Sequence, residues 1–137
     1  MRKDARELVF KLIFEYLFTE KIESETKVDL LLSGEYQITD EDVEYIDRVF
    51  AGVVADMENL QNAIKEKSIG FDLERIFKTD LSILVLALYE MKNESDVPLK
   101  VAVNEALNLS KKFGAEKSGS YINGILASLA CDFSKAE

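Results

Sequence analysis

The chain has 137 residues, of which 47% are hydrophobic and 31% are charged, and its formal net charge is −9. This length and balance are typical of one soluble globular domain and exclude a disordered or collagen-like chain. The absence of histidine and the single cysteine exclude an internal disulfide and the histidine-dependent sites of many hydrolases and zinc enzymes.

The first predicted helix extends from Asp4, as its N-cap, to about Lys21. One apolar stripe follows the three- and four-residue spacing of a helix face, and its members are Ala5, Leu8, Val9, Leu12, Ile13, Tyr16 and Leu17. A second stripe of Phe10, Phe14 and Phe18 lies roughly opposite. Two interpretations of this second stripe stay open: later helices cover it, or it forms a protein-binding ridge.

A short second helix is predicted after Ser24, which would act as its cap. Val28, Leu31 and Leu32 are expected to face inward. Gly34 stands where a left-handed residue commonly ends a helix.

The middle of the chain carries the most regular helical pattern. Residues 39–42 read TDED and resemble a capping box with an acidic first turn. An apolar seam follows, with a break near Glu58 left open, and its members are Val43, Ile46, Phe50, Val53, Met57, Leu60 and Ile64. Gly70 is predicted to end this segment, and residues 72–77 form at most a short helical turn.

Thr79 is predicted to cap a helix over residues 80–91 that leaves almost no polar face, which is typical of the centre of a bundle. Pro98 stands in the first turn of the next helix, where its missing N–H costs least. Gly114 is expected to end that helix.

The last helix is predicted to begin at Lys117 or Ser118. Its expected buried residues are Tyr121 or Ile122, Ile125, Leu126, Leu129 and Phe133. Gly124 suggests that the helix backbone is in close contact with a neighbour there. Asn123 is expected to be a cap or a buried hydrogen-bond donor. Cys131 is expected to be a small buried hydrophobic residue. The pattern as a whole predicts about seven helices and no strand.

The last third of the chain carries three motifs, which read DVPLKVAVNEA at residues 96–106, SKKFG at 110–114 and SGSYINGIL at 118–126. They closely resemble the C-terminal signature of the NusB family, which runs approximately D-x-P-x-K-V-A-I-N-E-A, A-K-x-F-G and S-x-x-F-V-N-G-V-L. The segments at residues 5–17 and 80–90 resemble two further family motifs. The resemblance therefore covers the whole chain, most strongly from residue 80 onward.

This resemblance implies an all-α fold of two packed subdomains, three helices and then four, in a single domain over residues 1–137. It implies a transcription antitermination factor that binds the boxA element of nascent ribosomal RNA together with NusE, a ribosomal protein of the small subunit. The complex would act on RNA polymerase to suppress premature termination. No catalysis, cofactor or metal is implied.

The net charge is unfavourable for RNA binding, so any RNA site must be local. The site is predicted where the first and last helices begin, and it comprises Arg2, Lys3, Arg6, Lys111, Lys112, Lys117, Ser118 and Tyr121. The cationic side chains would contact phosphates, and Tyr121 would stack on a base. The alternative is that the charges are ordinary solvated ones and that Tyr121 belongs to the core.

Asp80 and Glu90 flank the central helix and are candidate contacts to cationic NusE. Asp80 also has a structural interpretation, because a carboxylate in the first turn of a helix favours the helix dipole. The family often has arginine where this chain has Val85, and its N-terminus is often richer in arginine. We therefore expect weaker intrinsic RNA affinity and greater reliance on NusE.

Two other functions were weighed. The chain could be a protein interaction module or a homodimer that uses the phenylalanine stripe and no RNA. A NusB-like domain of an RNA methyltransferase is disfavoured because the chain has no glycine-rich cofactor loop. The N-terminus lacks a signal peptide, because charged residues interrupt its apolar stretch, and no apolar run is long enough to span a bilayer, so a cytoplasmic location is expected.

Overall fold

The computed structural model describes residues 2–68 and 76–136, with side chains through residue 134. Within these residues the chain forms seven α-helices and no β-strand. They are α1 (Arg2–Thr19), α2 (Thr26–Leu32), α3 (Asp40–Ala55), α4 (Met57–Lys67), α5 (Lys78–Asn93), α6 (Leu99–Phe113) and α7 (Ser118–Ala136). The predicted all-α class is confirmed. The ending predicted at Gly70 and most of the turn predicted over 72–77 lie outside the described residues.

Helix α5 is the centre of the molecule. Every residue from Asp80 to Met91 is buried, because α5 packs against α1, α3, α4, α6 and α7. The absence of a polar face in this segment therefore predicted its position correctly.

Helix α1 is the second buried element and packs between α3 and α5. Every residue from Ala5 to Phe10 is buried, so this part of the helix is covered on all sides. The predicted grouping of helices is visible in the contacts, since α1 also packs on α2 and α7 packs on α4 and α6. However, α5 bridges the two groups, and the buried side chains form one continuous cluster.

Two predicted helix boundaries are confirmed. Thr39 is the N-cap of α3, and its hydroxyl accepts from the backbone N–H of Asp42 at 3.1 Å while the Asp42 carboxylate accepts from the Thr39 N–H at 3.1 Å. Gly114 is the C-cap of α6. The break left open near Glu58 occurs at Asp56, between α3 and α4.

Three predictions about where helices begin are wrong. Helix α1 already includes Arg2, and the Asp4 carboxylate accepts a hydrogen bond from the Gln37 N–H at 2.9 Å instead of capping α1. Helix α5 begins before Thr79, because the Leu81 N–H donates to the Phe77 carbonyl at 2.9 Å. Pro98, predicted in the first turn of α6, is its N-cap residue.

Helix α2 also differs from the prediction. It begins after Glu25, so Ser24 is not its N-cap. Val28 is 54% exposed and Leu32 is 80% exposed, whereas Leu31 is half-buried. The inward orientation fails for Val28 and Leu32 because α2 packs mainly against α1, and Lys27 pairs with Asp47 of α3 at the surface. Gly34 has a φ of +77°, as its predicted left-handed role requires.

Three predictions on α7 are wrong, although its inward face is correct. Ile122 is fully buried, but Asn123, Gly124 and Cys131 are exposed. At about 100° per residue, Gly124 and Cys131 lie on the side of the helix opposite Ile122, and Asn123 lies at the edge between the two sides. The closely packed glycine is Gly52 on α3, where a Cβ atom would lie 2.1 Å from the Tyr89 hydroxyl.

In the described part of the chain, no helix combines the length and apolarity needed to cross a membrane.

Two of the helical glycines, Gly52 and Gly124, give a matched test of this packing. Gly52→Ala forces the buried Tyr89 ring to move and should lower the free energy of unfolding by about 2 kcal/mol. Gly124→Ala meets no atom within 4 Å, so it should raise the free energy of unfolding by up to about 1 kcal/mol through helix propensity. Urea unfolding of both variants measures the difference. Equal effects would contradict the Gly52–Tyr89 contact.

Candidate nucleic-acid interface

A groove between α1 and α6 collects four of the eight residues predicted to bind RNA. Its volume is about 280 Å³. This α1/α6 groove is lined by Lys3, Arg6, Glu7, Glu105, Asn108, Leu109, Lys111 and Lys112. Four cationic side chains thus face two carboxylates, and the groove is locally positive on a chain whose net charge is −9.

Arg6 is mostly buried beneath this groove. Its Nε donates to both carboxylate oxygens of Glu90, at 2.9 and 3.1 Å, and the Tyr45 hydroxyl donates to the same carboxylate at 2.5 Å. Burial opposes the charge of Arg6, but the hydrogen bond to Glu90 and the electrostatic attraction of Glu90, Tyr45 and Glu105 together outweigh it and raise the pKa of Arg6. The Arg6 charge is therefore already balanced inside the protein, and its Nη1 lies 3.9 Å from Glu105, which lines the groove.

Lys112 is also paired. Its Nζ lies 2.7 Å from one oxygen of Glu7, and the buried Tyr36 hydroxyl donates to the other oxygen. The hydrogen bond to Glu7 raises the pKa of Lys112. Lys3 and Lys111 are exposed, and neither forms a salt bridge with another described residue.

Arg2 lies outside the α1/α6 groove. Its guanidinium stacks 4.0 Å from the centre of the Tyr45 ring, and its Nε lies 3.8 Å from Asp42. This position faces α3 and the residues before α6, where Arg2 lines a separate depression with Asp96 and Pro98.

The start of α7 forms a different feature, a cavity of about 380 Å³ with a mainly apolar lining. This α5/α7 cavity is lined by Ile76, Phe77, Asp80, Ala115, Lys117, Ser118, Ser120 and Tyr121. Ser118 is buried, and its hydroxyl accepts from the Ala115 N–H at 2.9 Å. Tyr121 is half-buried, with its hydroxyl 2.8 Å from that of Ser68, so it is neither a core residue nor a freely exposed ring.

The residues predicted to bind RNA therefore line separate depressions, and their role as one RNA surface stays a prediction. Helix α1 runs in the same direction as α6, because Glu7 contacts Lys112 and the Phe10 ring lies 5.0 Å from that of Phe113. The start of α1 thus lies beside α6, whereas the start of α7 lies beyond the end of α6. Periodicity within each helix carries no information about this parallel arrangement.

The phenylalanine stripe changes from buried to exposed along α1. Phe10 is 3% exposed, Phe14 is half-buried and Phe18 is 61% exposed. Phe14 and Phe18 line a second groove with Phe77, which is 66% exposed. This aromatic groove is completed by Lys78, Thr79, Asp80, Phe113, Gly114 and Ala115. The interpretation that later helices cover the stripe is therefore confirmed for Phe10, whereas a protein-binding ridge at the exposed Phe18 stays a prediction.

Asp80 and Glu90 are both buried, at 5% and 2% exposed. Glu90 is committed to Arg6 and Tyr45, so its burial argues against a direct contact to a partner. Asp80 lies at the edge of both the aromatic groove and the α5/α7 cavity. Its Oδ1 has no hydrogen-bond partner within the part of the chain that the structure describes, and burial raises its pKa against the opposing hydrogen bond from Ser118. The predicted role of either residue in partner binding stays a prediction.

Sequence reasoning missed the carboxylates Glu7 and Glu105, which line the same groove as the lysines. It also missed Tyr36 and Tyr45, which orient the carboxylates of Glu7 and Glu90. One signal was available: Glu7 stands with Arg6 between Ala5 and Leu8, and charged residues inside an apolar stretch are usually paired when the helix is buried.

Comparisons with known proteins agree with this geometry. The model of the NusB family matches residues 3–130. The transcription antitermination protein NusB of Agathobacter rectalis is 43% identical over 129 residues, which cover 94% of this chain and 98% of that protein. The solved structure of T. maritima NusB has a TM-score of 0.83 at 29% identity and covers 95% of this chain and 90% of that one. A solved complex of antitermination factors NusB and NusE with double-stranded RNA shows the same fold, with a TM-score of 0.78 at 21% identity over 93% of each chain.

Removing the charge of Glu90 should expose the dependence of the fold on its ion pair. Glu90→Gln leaves Arg6 buried and charged, with the more exposed Glu105, 3.9 Å from its Nη1, as the remaining counterion, and the free energy of unfolding should fall by about 3 kcal/mol. The matched control is Glu94→Gln at the end of the same helix, because the partner of Glu94, Arg48, is exposed. The control Glu94→Gln should lower the free energy of unfolding by less than about 1 kcal/mol. Urea unfolding measures both values, and equal losses would contradict the assigned role of Glu90.

Proposed function

The chain belongs to the NusB family, and we propose that it is a transcription antitermination factor that binds boxA RNA of nascent ribosomal transcripts together with NusE. The curated relatives are transcription antitermination proteins. In this proposal the protein acts by binding, without catalysis, in the cytoplasm where bacterial transcripts are made. The complex of RNA, NusE and this protein then acts on RNA polymerase.

The observation that carries the proposal is the α1/α6 groove. It concentrates cationic side chains on a chain that is otherwise acidic, and RNA affinity depends on such local phosphate contacts. Lys3 and Lys111 form no salt bridge with another described residue, so we assign them the main phosphate contacts. Arg6 and Lys112 are paired to carboxylates and contribute less.

The start of α7 supplies a second contact in this proposal. Lys117 is exposed beside the α5/α7 cavity, and the half-buried Tyr121 ring lines the same cavity. A phosphate at Lys117 and a base against the Tyr121 ring suit single-stranded RNA, which is bound through stacking as well as charge. Ser118 supports this region through its hydrogen bonds to Ala115 and Asp80. Arg2 is assigned at most a minor contact to RNA, because its guanidinium faces Tyr45.

NusE is assigned to the aromatic groove. Exposed Phe18 and Phe77 offer apolar area for a protein partner. Asp80 is buried at the edge of that area, and its carboxylate would accept from a cationic side chain of the partner once a side-chain rotation exposes it. A solved complex of the same fold contains NusB, NusE and double-stranded RNA. The exposed phenylalanines would also suit a homodimer, and light scattering of the isolated protein distinguishes a tight dimer from a monomer that awaits NusE.

The assignment of Lys3 and Lys111 predicts a change in salt dependence. The double variant Lys3→Gln, Lys111→Gln should weaken boxA RNA binding in the presence of NusE. The slope of log K against log salt should become shallower by about 1.4, since each phosphate contact to single-stranded RNA contributes about 0.7. Fluorescence anisotropy over a salt series measures this change.

The charge-matched control for this experiment is the double variant Lys65→Gln, Lys100→Gln. Both lysines are exposed and lie outside the α1/α6 groove. The control should bind as the wild type does. A control that loses as much slope as the test variant would refute the groove as the RNA site.

The assignment of Asp80 predicts that partner binding and stability respond in opposite directions. Asp80→Asn should weaken NusE binding about tenfold, because a charged hydrogen bond is lost. Burial raises the pKa of Asp80 above its ordinary value of 3.8, so the charged carboxylate opposes folding increasingly as the pH rises through the folded pKa. The variant should therefore be at least as stable as the wild type at pH 7, with the difference shrinking toward pH 3.8.

Calorimetry with NusE and thermal unfolding at several pH values measure the two effects, and Asp47→Asn on the exposed side of α3 serves as control. Lower stability with unchanged NusE binding would refute the partner contact and would show that Asp80 acts only by stabilising the first turn of α5.

A further inference from the structure

Glu7 places a negative charge inside the α1/α6 groove, where the proposed function requires phosphates to bind. One of its oxygens lies 2.7 Å from Nζ of Lys112. The Lys112 side chain is 60% exposed, whereas the Glu7 side chain is 10% exposed. The lysine is therefore accessible to RNA, but it is already paired with a carboxylate that lies deeper in the protein.

The Glu7 carboxylate is held in this position from behind. Its second oxygen accepts a hydrogen bond from the hydroxyl of Tyr36, which is buried. The segment that carries Tyr36 is attached to α1 by the hydrogen bond between the Gln37 N–H and Asp4 at 2.9 Å. Glu7 cannot turn away from Lys112 without leaving a buried hydroxyl unsatisfied, which is costly.

Glu105, the other carboxylate of the groove, differs in this respect. Its nearest cation is Nη1 of Arg6 at 3.9 Å, and its side chain is 26% exposed. No hydrogen bond within the described residues anchors it in the way that Tyr36 anchors Glu7. An RNA phosphate can therefore displace Glu105 more easily than it can displace Glu7.

A fixed carboxylate beside a phosphate site weakens that site measurably. Two like charges 4 Å apart repel each other in water enough to change an equilibrium constant about fivefold. The repulsion is larger next to a protein surface, where the effective dielectric constant is lower. Lys112 consequently provides less attraction for RNA than an unpaired lysine in the same place.

We propose that Glu7 limits the RNA affinity of this protein: held by Tyr36, its carboxylate competes with an RNA phosphate for Lys112. The inference rests on the proposed function, because it concerns the same groove. It gives a physical reason for weak binding of RNA alone, since Lys3 and Lys111 are then the only cations of the groove that RNA engages fully. Affinity for RNA must be completed by contacts that a bound protein partner adds.

The test is a double-mutant cycle on Glu7 and Lys112, read out by binding of labelled boxA RNA to the full chain with and without NusE. Glu7→Gln keeps an acceptor for Tyr36 and removes the charge, so RNA should bind about fivefold more tightly. The slope of log K against log salt should steepen by about 0.7, because one more ammonium engages a phosphate. Lys112→Met should change affinity less than about twofold in the wild type and abolish the gain in the Glu7→Gln background.

Glu58→Gln is the control, because it changes the net charge equally on the exposed side of α4. Tyr36→Phe is a second test, because it keeps the charge of Glu7 but removes the hydrogen bond that holds its carboxylate. This variant should increase RNA affinity less than Glu7→Gln does. Thermal unfolding of each variant verifies that the fold is retained.

The outcomes separate the two claims. If Glu7→Gln binds RNA no better than Glu58→Gln, or if Lys112→Met costs the same with and without Glu7, the inference is wrong and the proposed function stands. If no variant binds boxA RNA even with NusE present, the proposed function itself is wrong.

Discussion

The buried ion pair between Arg6 and Glu90 is the interaction on which the rest of the structure depends. It joins the start of α1 to the end of the central helix α5, and the Tyr45 hydroxyl adds α3 to the same carboxylate. Burying an arginine is costly unless it is neutralised and hydrogen-bonded. The geometry around Glu90 satisfies both needs, so α1 has one well-defined position, and the side chains on its outer face form a groove with α6.

The same interaction limits what the groove can do. A chain with a net charge of −9 can bind RNA only where cations gather, yet folding uses part of that positive charge. Arg6 neutralises Glu90, and Lys112 neutralises Glu7. Two lysines, Lys3 and Lys111, form no salt bridge with another described residue. Stability and RNA affinity therefore compete for the same side chains, which explains in physical terms why binding should be shared with a protein partner.

The direction of the helices separates the proposed partner site, the aromatic groove, from the α1/α6 groove. Because α1 runs alongside α6, its cationic start and its aromatic end lie at opposite ends of one helix. Phe18 is exposed at the far end, next to Phe77 and the buried Asp80. RNA and a protein partner can therefore approach the molecule together without excluding each other from α1.

The sequence by itself determined the all-α class, the capping box at Thr39, the central position of α5 and the family, because these depend on local spacing and on motifs read along the chain. It named Lys3, Arg6, Lys111 and Lys112 as site residues, but it could not show that Arg6 is buried or that Lys112 is paired. Nor could it show that α7 starts away from the start of α1. Such features depend on which helices meet and in which direction, and long-range electrostatic pairing follows from that arrangement and leaves no periodic trace in the sequence.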